Sequence, residues 1–544
     1  MTYLRIGIPI AAAVALAAAS PAAGQHEHGA STGEVLGKVD FRTSCSAGVR
    51  AEFNRATALL HSFEFSRAIE AFSGVLEKEP SCAVAHWGIV LSQWSNPFGG
   101  VRPPLVIKRG QEAVARARAW RGGKMDARER AYFDAAALLF DGAPDVPQRD
   151  RTLAYERAME KIVADYPDDM EAKIFYALSV NQTALATDKT YANQLKAVGI
   201  LEPLYKTHPD HPGLAHYIIH AYDHPPLAAR AVDAARRYAK IAPSAPHALH
   251  MPSHTFTRVG YWQDSIASNI ASAESASKLG TYGEVLHAMD YQIYAYLQLG
   301  QDVAARRVLD RLPDARAKFN PDAIGGAAPG SAGLYALAAI PARYALERGA
   351  WADAAALEAR ASAYAWVDAV TPFARALGAA RSGSPSAAGA EIARLKTLQE
   401  KLTAASDADW AARVDVQRRI AEAWVAFAEG RRDEAIAALR GAADAEDATD
   451  KSAVSPGPLA PARELLGEML LEAGQNKEAL AAFEATMMKE PNRFRAVAGA
   501  MRAAEAAGDR VTAAAHAREL LGIAKAADSN RPDLARAREL AGKT

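Results

Sequence analysis

RELLGEMLLEAGQNKEALAAFEATMMKEP, residues 463–491, decides the fold. A Leu-Gly pair sits in its first apolar stretch, a glycine marks the turn at Gly474, an Ala–Phe spacing repeats in the second stretch, and Pro491 closes the unit. Apolar residues recur at helical spacing on both sides of the turn, so the segment predicts two helices, Ala462 to Gly474 and Asn476 to Lys489, packed as an antiparallel pair. A weaker copy runs from Arg493 to Lys525. Near the other end, Val49 to Phe63 and Phe65 to Lys78 read the same way, closing at Glu79-Pro80, and a further helix opens at Ser81 through Gly88. Equivalent closures stand at Tyr166-Pro167, His208-Pro209, Ala242-Pro243 and Glu490-Pro491. Proline after the second helix of a pair stops it, because the residue before proline is pushed out of the helical region.

Alanine-rich usage with abundant Leu, Arg, Glu and Lys agrees with helix nearly throughout. The chain has 544 residues and 63 basic against 63 acidic side chains. A stack of helix pairs escapes the usual domain-size limit because it grows by repetition. Zero net charge excludes a broad electrostatic surface for nucleic acid. Residues 1–24 read as a secretory signal: Arg5, the apolar stretch Ile6 to Ala19, then small residues before Gln25. No lipobox cysteine follows. The expectation is a periplasmic or secreted protein with no membrane span in the mature chain, since the apolar run falls short of the roughly 20 residues a bilayer demands. Export and a total of two cysteines predict one Cys45–Cys82 disulfide. The expected organisation is a flexible segment 25–40, an N-terminal helical stack 41–315, a loop-interrupted stretch 316–410 and C-terminal repeats 411–544. Asn320 to Ala332 and Ala380 to Gly389 read as loops.

Nine of the 14 histidines fall between positions 208 and 287. His216 and His220 are one helical turn apart, as are His250 and His254, and each member of the first pair lies 34 residues before its counterpart. That step is the length of a tetratricopeptide repeat. A step of 37 residues from His250 and His254 reaches His287 and Tyr291.

The segments LLHSFEFSRAIEAF, AVAHWGIVLSQWSNPF, HPGLAHYIIHAYD and HALHMPSHTFTRVGYW resemble the bacterial tetratricopeptide-repeat superfamily, in particular an exported branch, as does EDATDKSAVSPGPLAPARELLGEML. The resemblance implies an all-α solenoid of stacked antiparallel helix pairs and carries no reaction. It also implies which positions face the concave side: His216, His220, Asp223 and His224 in one repeat, His247, His250, His254 and Arg258 in the next.

Neutral imidazole is the commonest protein ligand for zinc and copper, and three or four must converge at about 2.0–2.2 Å from the ion. The metal candidates are therefore His216, His220, His250, His254 and His287, the first pair and the second together making a four-imidazole set, or three of those four leaving a position open for water. Asp223, His224, His247, Arg258, Asp290 and Tyr291 are candidates for outer or ligand-binding roles. Spacing does not choose between zinc and copper. Pro252 threatens the geometry between His250 and His254. For His61, His86, His208, His211 and His516, packing or capping is the expected role. His26 and His28 belong to a polar tail.

Two further groups read as possible groove walls with packing as the simpler role: Trp87, Trp94, Asn96, Pro97 and Phe98, and the loop from Glu446 through Lys451 and Pro456 to Arg463. No HExxH, nucleophile elbow, P-loop or dinucleotide fingerprint is present. The expected function is groove capture of a peptide, protein segment or small molecule, with a histidine-bound metal; the alternative is a metal-dependent hydrolase or oxidoreductase using the same histidines, with Asp223 or Asp290 as base.

Overall fold

The computed structural model describes residues 33–542, all helix and loop with no strand among them. The signal segment, His26 and His28 lie outside the described residues. From Val35 onward the chain packs as one unit. Among the described residues no helix is long and apolar enough to cross a membrane.

The deciding segment folds as read: Ala462–Glu472 and Asn476–Lys489 are helices packed against one another, followed by Phe494–Ala506 and Arg510–Ile523. The glycines of such pairs mark close approach. A methyl group on Gly499 would sit 2.3 Å from the Phe483 ring, and one on Gly88 2.3 Å from Phe72. At the N-terminal end, Arg50–His61 and Phe65–Lys78 form the expected pair. The five proline closures share one backbone conformation: Glu79, Tyr166, His208, Ala242 and Glu490 all have φ between −125° and −138° and ψ between 57° and 86°. These angles lie outside the helical region that proline disfavours in its predecessor, and they turn the chain similarly after each pair.

One large apolar core runs from Leu36 to Phe256, a second from Tyr335 to Ala503, and a third, Ala273 to Ile340, lies between them in sequence. Distant helix pairs also meet. Trp262 Nε1 donates to the Asn492 carbonyl (2.8 Å), Arg531 pairs with Asp302, and Lys451 pairs with Asp223 (2.9 Å), residues 228 to 230 apart in sequence. Arg493, 1 % exposed, is held between Glu464 (2.6 Å) and Glu347 (2.8 Å) on this seam.

Cys45 and Cys82 are joined by a disulfide, Cα–Cα 4.9 Å, at a sequence separation of 37. It ties the entering segment to the Ala85–Trp94 helix. Removing the cross-link frees the unfolded chain by loop-closure entropy worth about 4 kcal/mol for this separation. Cys45→Ser with Cys82→Ser is expected to lower stability by about that amount in a denaturant titration.

Candidate metal centre

Six histidines come together on four helices. His216 and His220 lie on Pro212–Ala221, His247 and His250 on Pro246–His250, His254 on Pro252–Arg258 and His287 on Tyr282–Gln298. Pro252 interrupts the helix, but Met251 keeps helical angles (φ −52°, ψ −35°), so the one-turn relation of His250 to His254 survives. All six are buried. They are not an open concave surface, and the expected four-imidazole set does not form. The ligand atoms group instead as His216, His220 and His247, and as His250, His254 and His287, each triad within 4.8 Å. The triads adjoin: His220 and His254 have ring centres 6.1 Å apart, His247 and His250 5.9 Å. His247, expected in an outer role, thus belongs with the potential ligands. Its signal in the sequence was a concave-facing position in the same repeat as His250 and His254.

Outer acceptors set the tautomers. His216 Nδ1 donates to the His61 carbonyl (2.6 Å). His254 Nδ1 donates to Asp223 Oδ2 (2.9 Å). His250 Nδ1 meets Asn269 Oδ1 (2.7 Å), and because Asn269 Nδ2 is spent on the Ser265 carbonyl, this oxygen is the acceptor. A carbonyl or carboxylate cannot donate, so in all three rings the proton is on Nδ1 and the Nε2 lone pair points inward. His216 Nε2 lies 3.1 Å from His247 Nε2, whose tautomer no outer acceptor sets, while the lone pairs of His250 Nε2 and His254 Nε2 face each other at 3.1 Å. Two lone pairs at that separation repel unless a cation lies between them. Burial and neighbouring imidazoles keep every ring of the cluster below its ordinary pKa, His216 and His287 at about 3. A shared proton is therefore disfavoured and a metal ion fits. His220 Nε2 and His247 Nδ1 are buried without a hydrogen-bond partner.

Asp223 is the anionic anchor of the outer layer. Besides His254 it takes Arg258 Nε (2.9 Å) and Lys451 Nζ (2.9 Å). Burial opposes its charge, but Lys451 and Arg258 hold its pKa well below the ordinary value. Burial pushes Lys451 down to about 8, with Asp223 acting against the shift. Tyr291 stacks on His254 (ring centres 5.2 Å), its hydroxyl 3.4 Å from Nε2. Two outer candidates go elsewhere. Asp290 is committed to Arg343 (2.7 Å, both buried), so it is neither ligand nor base. His224 Nδ1 faces Asp450 (3.0 Å), away from both triads.

Phe63 has φ +56°, a costly conformation for a bulky residue, and presents its ring to His216 (4.3 Å), His220 and His247. His61 and His211 do more than pack: their Nε2 atoms lie 2.8 Å and 3.0 Å from the two oxygens of Glu171, with His61 Nδ1 3.0 Å from the Tyr217 hydroxyl. This group fixes the carbonyl that orients His216.

Three loops cover the histidines. Phe98 lies over His220 (4.4 Å), and Asn96 Nδ2 donates to the Ala327 carbonyl (3.0 Å), joining the first cover to the 320–329 loop. Glu284 Oε1 accepts from Ala328 N (2.5 Å). Arg343 holds the third loop through the carbonyls of Gly457 and Pro458. Beneath them a cavity of about 20 Å³ is bordered by His220 and His247 from one triad and His254 and His287 from the other. That is room for one water-sized molecule. Across Arg258 and Lys451 lies a larger cavity of about 70 Å³, with Trp410, Arg413 and Lys489 in its wall. Trp87, by contrast, is core, stacked on Phe41 (4.8 Å).

Buried neutral histidines make stability depend on pH. Their folded pKa values lie below the 6.5 of the unfolded chain, so the unfolded state takes up protons first. The stabilisation is complete above about pH 6.5 and is lost as pH falls towards 4 and below, where His86 (about 4), His216 and His287 (about 3) titrate. Thermal melts of chelator-treated protein are expected to show Tm falling ever more steeply from pH 7 to 4.

No protein-family model matches the chain, and no curated protein is significantly similar to it.

Proposed function

We propose that this chain is an exported metalloprotein of the tetratricopeptide-like class, whose two histidine triads hold transition-metal ions for a metal-dependent reaction at an enclosed site. The observation that carries the reading is the pair of inward lone pairs on His250 and His254 at 3.1 Å, each fixed by an outer acceptor. Such fixing of the distal ring nitrogen is how metal-ligating histidines are held. Three imidazoles per ion leave a coordination position open. The small cavity beside four of the six rings supports an open position in a confined space rather than along a broad groove. The repeat-phased helix pairs, with their common proline closures, support one turn of a tetratricopeptide superhelix closed on itself at the seams some 228 residues apart. The groove-binding alternative rests on the cavity of about 70 Å³, whose Trp410, backed by Trp366 (ring centres 4.3 Å), and neighbouring cations suit a small aromatic or anionic ligand.

Elemental analysis of the untagged mature protein tests the reading. Near-stoichiometric transition metal is expected, reduced at least by half in His216→Ala and in His254→Ala. Protein that is metal-free as isolated and stays so after reconstitution with zinc and copper salts removes the reading and returns attention to the larger cavity.

A further inference from the structure

We propose that the two triads form one dinuclear copper centre that binds dioxygen between its ions. The inference rests on the metal-ion reading above and adds the identity of the metal and of the small molecule it takes.

The donor set points to the metal. Both triads are wholly imidazole, with no carboxylate or thiolate among the converging atoms. Asp223 meets the outer nitrogen of His254, and Asp290 is tied to Arg343. The surroundings carry positive charge already, because Asp223 is shared by Lys451 and Arg258. Two divalent ions would place four further charges in a buried space with no anionic ligand, which the low dielectric penalises heavily. Two copper(I) ions bring half that charge. They accept three nitrogen ligands readily, and imidazole suits copper in both oxidation states. Calcium, magnesium and manganese sites need oxygen ligands that are absent from both triads.

The cavity points to the ligand. It touches two histidines of each triad and has a volume of about 20 Å³, too small for an organic substrate and sufficient for a diatomic molecule. Apart from Asn96, whose side-chain nitrogen is spent on the Ala327 carbonyl, its other walls are uncharged and largely apolar, among them Phe98, Ala327, Ala332 and Val454, which suits an uncharged gas. The chemistry balances within the site. Each copper(I) gives up one electron and becomes copper(II), dioxygen takes the two electrons and becomes peroxide, the O–O bond falls to a single bond, and copper–oxygen bonds form. No proton moves. The net charge of the two ions with their oxygen ligand is the same before and after, so a buried site bears no new electrostatic cost.

The test loads chelator-stripped protein anaerobically with copper(I), counts the bound metal, then admits air. Two coppers per chain are expected. Air should bring a peroxide-to-copper charge-transfer band in the near ultraviolet and no electron paramagnetic resonance signal, because two bridged copper(II) ions couple. His247→Ala and His287→Ala, one from each triad, should each retain one copper and lose the band. Should either variant fail to give the wild-type helical circular dichroism, wild-type protein preloaded with zinc serves instead, and it should show no band. Two coppers that give an ordinary isolated copper(II) signal and no band would overturn the dioxygen pair while leaving metal binding intact. Retention of zinc against excess copper would overturn the choice of metal alone. Failure to bind either metal would remove both this inference and the reading beneath it.

Discussion

Asp223→Asn is expected to lower the stability of the protein by about 3–5 kcal/mol, the range found when one partner of a buried ion pair is removed. The residue it alters sits between two cations, Lys451 and Arg258, both 3 % exposed or less at the side chain. Asparagine is nearly isosteric, so the loss is electrostatic rather than steric. Lys451 is already depressed to about 8 by burial. Without the carboxylate it drops further and surrenders its proton near neutrality, which trades an unpaired charge for an unsatisfied amine. The second consequence concerns metal. Asp223 fixes the Nδ1 proton of His254 and makes its Nε2 a better donor, and losing such an outer partner costs 10–100-fold in metal affinity. A chelator competition on folded protein separates the two effects. A variant that loses stability while keeping wild-type affinity would show that Asp223 serves the seam and not the metal.

The helix pairs were legible because both of their signals are local: apolar spacing within each helix and a proline after each pair. The neighbourhood of His216, His220, His250, His254 and His287 was legible for a related reason. In a stack of repeats, a side chain recurring every 34 residues recurs in space, so a pattern along the chain becomes a cluster. The sequence puts His247 on the histidine face but not in a triad, since the division into two triads depends on where each ring points.

The covers were legible as loops or groove walls, but their placement over the histidines was not. They come from 96–99, 320–329 and 450–458, irregular segments that follow no period. What brings the third onto the histidines is closure between helix pairs about 228 residues apart, a long-range fact with no local signature. Asp290 misled for the same reason. Its partner Arg343 lies in the stretch where the repeat register is lost, so a carboxylate three residues from His287 looked free for the metal. A histidine-rich face without its covers reads as an open groove, and with them its six histidines are buried.

Arg343→Met should be as costly as the change at Asp223, and it tests whether those covers hold the site. Arg343 is fully buried; one nitrogen meets Asp290 (2.7 Å), others reach Ser455 Oγ (2.8 Å) and the carbonyls of Gly457 and Pro458 (3.0 Å each). Methionine fills part of the volume but offers no donor. Asp290, whose pKa burial already raises against the pull of Arg343, would be left as a buried carboxyl and would take up a proton. The loss is expected at about 3–5 kcal/mol, read by denaturant titration. If the electrostatic account is right, Arg343→Met with Asp290→Leu should recover much of it, because a buried pair replaced whole by apolar groups is often neutral. The loop carbonyls stay unsatisfied in both variants. Hydrogen exchange across 448–458 should therefore rise in each, and metal should leave faster, even where the double variant regains its stability. Recovery of stability together with wild-type metal retention would mean that the 455–458 loop is not what keeps the centre closed, and that the seam at Lys451 and Asp223 does so alone.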